Sequence, residues 1–254
     1  MRESCITPEP HILEPMVRRL AYRVALDAAD RDALLALPFT VRTVERGGYI
    51  VREGDIATRT SVMLSGFSVR SKTVGSGARQ IVSIHMQGDM VDLQNSLLDT
   101  ADHSVEMLTR GRIAEIARNE IWRIAAERPM VARAMWRETL VDGSIFREWI
   151  ANVGRRDART RLAHLFCEFA LRLKVAGLAE AGQYELPMTQ EQLADATGLT
   201  SVHINRTIRG LEADHFIERD DPRRIHIMDW DRLAEVGDFQ SEYLHLRDGD
   251  TVIV

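Results

Sequence analysis

The chain has only two cysteines in 254 residues, Cys5 and Cys167, far apart and neither in a CxxC pair. That scarcity excludes an iron–sulfur cluster or a structural zinc site built on cysteine. Cys167, among Leu165, Phe166 and Phe169, reads as a buried small hydrophobe. No apolar run approaches the roughly 20 residues of a membrane span, so no membrane association is expected. Residues 1–15 hold Glu3, Glu9, His11 and three prolines. A secretory leader would be basic and then apolar, so the expected location is cytoplasmic. No P-loop, G-x-G-x-x-G or nucleophile motif is present. Gly75-Ser76-Gly77 has no helix after it to receive a phosphate and reads as a hairpin turn. An excess of positive charge is missing too: 33 Lys and Arg stand against 38 Asp and Glu, a net charge of −5. A polycation that coats nucleic acid is thereby excluded, and any DNA reader here must gather its cations on one surface.

What is present is a globular composition, 45% hydrophobic and 28% charged, long enough for two modest domains. Residues 14–37 are rich in Ala, Leu and Arg and predict one or two helices, ended by Pro38. Short β-prone runs then recur at 49–51, 61–64, 67–74, 80–85, 104–108 and 112–116. Glycine turns separate them, at Gly47-Gly48, Gly54-Asp55, Gly66 and Gly88-Asp89 among others. This spacing predicts an antiparallel β-roll or jelly roll. From 119 to 153 the pattern is helical, with Pro129 in the first turn of a long helix. Ala132, Trp136, Thr139, Gly143, Phe146, Ile150 and Val153 alternate spacings of four and three, a heptad seam. The seam fits either a helix packed on its own domain or a two-stranded dimer helix. The fold class is therefore α+β, with an N-terminal β-roll and flanking helices over 1–128 and a long dimerisation helix over 129–154. A DNA-binding domain over 155–230 and a tail over 231–254 follow. The tail is acidic and weakly patterned.

Residues 187–213 are the most informative. Thr189-Gln190-Glu191-Gln192 fits a capping box, with Met188 and Leu193 as its hydrophobic staple. A helix beginning near Gln190 ends at Thr197-Gly198, where glycine can adopt the left-handed cap. Thr200 caps a second helix. Two short helices joined by a tight glycine-containing turn form a helix-turn-helix, and small Ala194 lets the pair approach. In the second helix Ile204, Ile208 and Leu211 form the buried stripe. Val202, Arg206, Arg209 and Ala213 point the opposite way, flanked by His203 and Asn205. Such a face enters the major groove, where Arg reads guanine, Asn reads adenine and Val meets a thymine methyl. Residues 216–219 and 225–227 read as a hairpin wing whose tip offers Arg223 and Arg224 to backbone phosphates. The candidate DNA-binding set is Thr189, Gln190, Thr200, Ser201, Val202, His203, Asn205, Arg206, Arg209, Arg223 and Arg224.

The order β-roll, long helix, winged helix-turn-helix resembles the Crp/Fnr family of bacterial regulators. The residues carrying the resemblance are Arg52-Glu53-Gly54-Asp55, Ser65-Gly66, Gln87-Gly88-Asp89, Val153-Gly154-Arg155-Arg156-Asp157, and Thr189 to Ala194 through Gly198-Leu199-Thr200 to Asn205-Arg206. The resemblance implies a homodimer on a near-palindromic operator that acts through RNA polymerase. It also implies a place to look for an effector. Where cAMP-binding members carry a ribose-binding Glu, this chain has Leu93. The phosphate-binding Arg-Ser pair reads His103-Ser104, and the adenine-facing positions read Phe146-Arg147. Without the Arg, a cyclic phosphate lacks its bidentate partner, so cAMP is not the expected effector. The cysteine cluster of the oxygen-sensing branch is missing as well. In the recognition helix, Val202 stands where the family commonly has Glu, so the operator should differ at that base.

The remaining candidates are weaker. Asp89, Asp92, Asp99, Asp102 and His103 form an acidic stretch that reads as a solvated loop and not a metal site. His85, on a strand, could ligate haem, or it could simply be packed. No cofactor and no catalytic residue are predicted. Two other functions stay open: a β-roll metal- or ligand-binding protein or enzyme with a non-reading helix-turn-helix, and a protein-interaction module.

Overall fold

The structure is a computed structural model that describes residues 11–179, 182–221, 223–247 and 250. Cys5, part of the 177–182 linker, Pro222 in the wing and the last residues of the tail lie outside the described residues. The chain opens with two helices, α1 (Glu14–Arg23) and α2 (Ala28–Leu35). Asp27 caps α2 by accepting the Asp30 N–H at 2.7 Å. Eight strands follow: β1 (Thr40–Val44), β2 (Tyr49–Val51), β3 (Arg59–Ser65), β4 (Ser68–Thr73), β5 (Arg79–His85), β6 (Met90–Val91), β7 (Ser104–Met107) and β8 (Gly111–Ala117). They form two antiparallel sheets, in the orders β1-β8-β3-β6 and β2-β7-β4-β5, the double-sheet jelly roll. Val44, Met63, Val91, Val105, Met107 and Ile113 fill the space between the sheets. Strand β3 is buried from Thr60 to Leu64 because α1 and the helices after the roll cover its second face.

Helix α3 (Arg118–Glu127) leads into α4 (Pro129–Arg155), a 27-residue helix with its proline in the first turn. Helix α5 (Ala158–Val175) is capped by Asp157, whose carboxylate accepts the N–H groups of Arg159 and Thr160. Beyond it come β9 (Gln183–Glu185), α6 (Gln190–Thr197), α7 (Ser201–Ala213), β10 (Ile217–Asp221), β11 (Arg224–Ile227) and α8 (Trp230–Val236). Strands β10, β11 and β9 make one small antiparallel sheet.

The roll and the C-terminal unit share one core. Val69, Ile81 and Ile84 of the roll pack in the same cluster as Leu162, Phe166 and Phe169 of α5 and Ile204 and Ile208 of α7. Polar contacts fix the junction. Arg172 Nη2 donates to Ile84 O at 2.6 Å, Arg79 Nε to Asp195 Oδ2 at 2.8 Å and Gln80 Nε2 to Ala196 O at 3.2 Å.

The described part of the weakly patterned tail is packed on the rest of the chain, and the expected boundary at 230 falls on the first residue of α8. Leu233 is fully buried in the core around α5. Tyr243 donates to Glu168 Oε2 at 2.8 Å, and its ring stacks on His164. The chain then crosses α4 to reach α1. Arg23 Nη1 donates to Leu244 O at 3.1 Å, and Tyr22 donates to Asp250 Oδ2 at 2.7 Å. These contacts join residues more than 200 apart, and no local pattern announces them.

Candidate nucleic-acid interface

The reciprocal capping box of α6 is formed. Thr189 Oγ1 accepts the Gln192 N–H at 3.2 Å, and Gln192 Oε1 accepts the Thr189 N–H at 2.9 Å. Met188 and Leu193 are buried beside it. The helix stops at Gly198, whose φ of +67° suits glycine. A Cβ there would also lie 3.1 Å from Val153 Cγ1, so the turn seats closely against the end of α4. Thr200 Oγ1 then accepts the His203 N–H at 3.2 Å and starts α7.

Helix α7 divides by face as its sequence predicts. Ile204, Ile208 and Leu211 are buried, whereas Val202 is 79% exposed. Ser201, Arg206, Arg209 and Ala213 are also exposed, and His203 and Asn205 sit half-buried at the flanks. Six of the candidate residues, Gln190, Ser201, Val202, Asn205, Arg206 and Arg209, line one open depression of about 510 Å³. In the wing, β11 is held between β10 and β9, with Ile225 opposite Tyr184. Strand β9 was not anticipated; three residues carry no readable alternation. Arg223 and Arg224 are exposed, and the Arg223 N–H donates to Asp221 Oδ1 at 2.7 Å. No carboxylate among the described residues pairs with Arg206, Arg209, Arg223 or Arg224, in contrast to the paired Arg42, Arg70 and Arg79 of the roll.

Helix α4 carries two stripes. Val131, Ala134, Met135, Glu138, Val141, Ile145, Trp149 and Asn152 are buried within the chain. The heptad positions lie on the other side: Trp136 is 70% and Ile150 72% exposed, and Ala132, Thr139, Gly143, Phe146 and Val153 are partly so. Leu140, 57% exposed beside them, was not singled out because it falls off the four-three spacing.

Between α4 and the roll lies an apolar cleft of about 800 Å³ lined by Ile81, Val82, Phe146, Trp149, Ile150 and Val153 among others. Phe146 and Trp149 form part of its wall. The five expected effector positions do not converge on it. His103 and Phe146 line it, but Leu93 turns into the core beneath α1. Ser104 Oγ accepts the Glu53 N–H at 3.0 Å, and Arg147 is exposed and donates to Ser144 Oγ at 2.8 Å. Sequence reasoning missed Arg70, a buried arginine on β4. It reaches Asp142 of α4 at 2.7 Å and Asp92 at 3.4 Å, and lies 5.2 Å from the Phe146 ring. Opposing desolvation, the two carboxylates raise the pKa of its guanidinium.

The acidic stretch is a solvated loop only in part: Asp99 and Asp102 are exposed, but Asp89, Asp92 and His103 are not. Asp89 and Asp92 are buried because arginines distant in sequence meet them: Arg19 lies 2.9 Å from Asp89, and Arg70 faces Asp92. His103 sits between Asp92 and Asp102, 2.6 Å from each. Among the described residues, no group of three or more His, Cys, Asp or Glu is placed to hold a metal ion. His85 does not fit a haem ligand. It is buried, burial and then Arg70 hold its pKa well below the usual value, and the space beside it is about 20 Å³, far too small for a macrocycle. Cys167 is buried, and burial raises its thiol pKa. No described helix is long and apolar enough to cross a membrane.

Comparison with known proteins agrees with these features. Residues 160–236 match the model of the Crp-like helix-turn-helix domain, and residues 41–128 that of the cyclic nucleotide-binding domain. The chain is 26% identical over 197 residues to the transcriptional activator protein FnrL of Cereibacter sphaeroides, covering 76% of this chain and 79% of FnrL. It is 25% identical over 218 residues to the nitrogen fixation regulation protein FixK of Azorhizobium caulinodans, covering 85% and 87% of the two chains. The solved structure of FixK2 from Bradyrhizobium japonicum superposes with a TM-score of 0.73 at 24% identity, covering 79% of this chain and 98% of that one.

Proposed function

Given that the chain belongs to the Crp/Fnr family of DNA-binding transcription regulators, we propose that it binds a near-palindromic operator as a homodimer joined along α4. Helix α7 of each protomer enters a major groove. One observation carries the reading: the outward face of α7 presents Ser201, Val202, Asn205, Arg206 and Arg209 around a single depression, with neither guanidinium claimed by a carboxylate of the described residues. Arg206 and Asn205 read base edges, Val202 contacts a thymine methyl, and Arg223 and Arg224 hold phosphates from the wing. The caps at Thr189 and Thr200 place the N-terminal N–H groups of α6 and α7 close to the backbone. Contact with RNA polymerase belongs to the same reading.

Cyclic AMP is not the proposed ligand of the cleft. Arg70 is held by Asp92 and Asp142, and Lys72 by Glu53 at 2.5 Å, so neither cation is free for a cyclic phosphate.

Selection of bound sequences from random duplexes, followed by anisotropy titrations, tests the reading. Arg206→Ala is expected to lose about 1–3 kcal/mol on the selected duplex and to relax preference at one base pair. Arg224→Ala is expected to weaken all duplexes alike and to reduce the salt slope by about 1. If Arg206→Ala bound every duplex as the parent does, α7 would not be the reading helix.

A further inference from the structure

We propose that a second cavity, lined by α1, α4, α5 and the C-terminal tail, is a binding site for a small organic carboxylate. Its volume is about 170 Å³, and Arg18, Arg19, Arg23 and Arg172 all line it. No carboxylate among the described residues does. It shares no lining residue with the cleft between α4 and the roll.

The acids that offset these arginines sit behind them. Glu138 takes the Nε groups of Arg19 and Arg23, one on each oxygen, at 2.6 Å. Asp89 meets Arg19 Nη1 at 2.9 Å, and Glu168 meets Arg172 Nη1 at 3.2 Å. Neither Arg19 Nη2 nor Arg23 Nη2 has a hydrogen-bond partner among the described residues, and neither is a buried orphan. Arg18 is exposed and has no partner among the described residues. Among the described residues, these four guanidinium groups thus pair with three carboxylates, leaving one positive charge and N–H donors beside the same space. A planar guanidinium offers paired donors that match a carboxylate in two parallel bonds.

The rest of the lining is largely hydrocarbon, including Ile145 of α4 and Leu246 of the tail. A bare inorganic anion would leave that wall uncovered. An engineered cavity of roughly 150 Å³ accommodates benzene, so the space suits a carboxylate bearing a chain of about five carbons. The lining comes from both ends of the chain, so an occupant would bridge the first helix to α5, which carries the DNA-reading unit.

Titration calorimetry of the full chain with hexanoate tests the site, with hexanamide and inorganic phosphate as the other arms. Hexanoate is expected to bind once per chain, and hexanamide about tenfold or more weaker, because it lacks the charge. Arg18→Ala is expected to weaken hexanoate by about tenfold with an unchanged melting temperature, since its side chain supports no other contact. Ala176→Phe, which narrows the cavity, is expected to abolish binding. The proposal is overturned if hexanoate gives no saturable heat up to about 10 mM, if hexanamide or phosphate binds as well as hexanoate, or if both variants bind like the parent.

Discussion

Ile150→Glu is expected to leave the chain monomeric and to weaken its binding to a palindromic duplex by about 10²- to 10⁴-fold, the gain that a tethered second head supplies. The argument begins with the two stripes of α4. One is fully used inside the chain, by Val141, Ile145 and Trp149 among others. The other leaves Trp136, Leu140 and Ile150 each more than half exposed, although burying such a side chain is worth about 1.5–3 kcal/mol. In a two-fold pair of helices, seam residues meet their own counterparts. A Glu at 150 would therefore remove apolar contact and place two like charges in a drying interface. Ala151→Glu supplies the control. It puts the same charge one residue on, about 100° around the helix, at an exposed position outside the seam. Sedimentation should show a dimer for the parent and for Ala151→Glu, and a monomer for Ile150→Glu. A dimer of unchanged stability in Ile150→Glu would place the protomer contact elsewhere.

The DNA-reading unit was the most legible part of the chain because its signals are local. The Thr189 capping box, the Gly198 stop, the Thr200 cap and the stripe of Ile204, Ile208 and Leu211 each depend on residues within about one helical turn or two. Strands β3, β4 and β5 were equally plain, since each runs between glycine turns, whereas β1 at Thr40–Val44 went unread although its residues are β-prone. Strands β6 and β9, of two and three residues, are too short to show alternation. The buried ionic groups were illegible for a different reason. Asp89 and Asp92 resemble solvated acids until Arg19 and Arg70 are known to face them, and only the fold brings those arginines there. Arg70 itself gives no sign in its strand that it is inside. The same limit explains the effector positions. Counting along the chain locates Leu93, Ser104 and Arg147, but it does not reveal that the first turns into the core, the second accepts an amide N–H and the third faces outward.

The same long-range ionic contacts set how α1, α4 and the tail are joined, and Glu138 is where they meet. Its carboxylate is buried on the inner face of α4 and bridges Arg19 and Arg23 of α1, and Arg23 also holds the Leu244 and His245 carbonyls of the tail. Burial alone would raise the carboxyl pKa. The two guanidinium groups overcome that and bring it from the usual 4.5 down to about 2. A carboxyl whose pKa falls on folding stabilises the folded state fully above its unfolded value. That contribution, about 3 kcal/mol here, is lost as the pH drops from near 4.5 towards 2. Glu138→Gln keeps the shape but leaves buried Arg23 without its anion and Arg19 with Asp89 alone, and it is expected to cost about 3–5 kcal/mol at neutral pH. Urea unfolding from pH 7 down to pH 2 measures both effects. The parent should lose stability more steeply below pH 4.5 than Glu138→Gln, so the gap between them narrows as acid removes the charge that the variant lacks. Because α4 also carries the proposed dimer seam, the variant should lose dimer along with stability. If the gap at pH 7 were under about 1 kcal/mol, or stayed constant down to pH 2, the Arg19–Glu138–Arg23 bridge would not be what fastens α1 to α4.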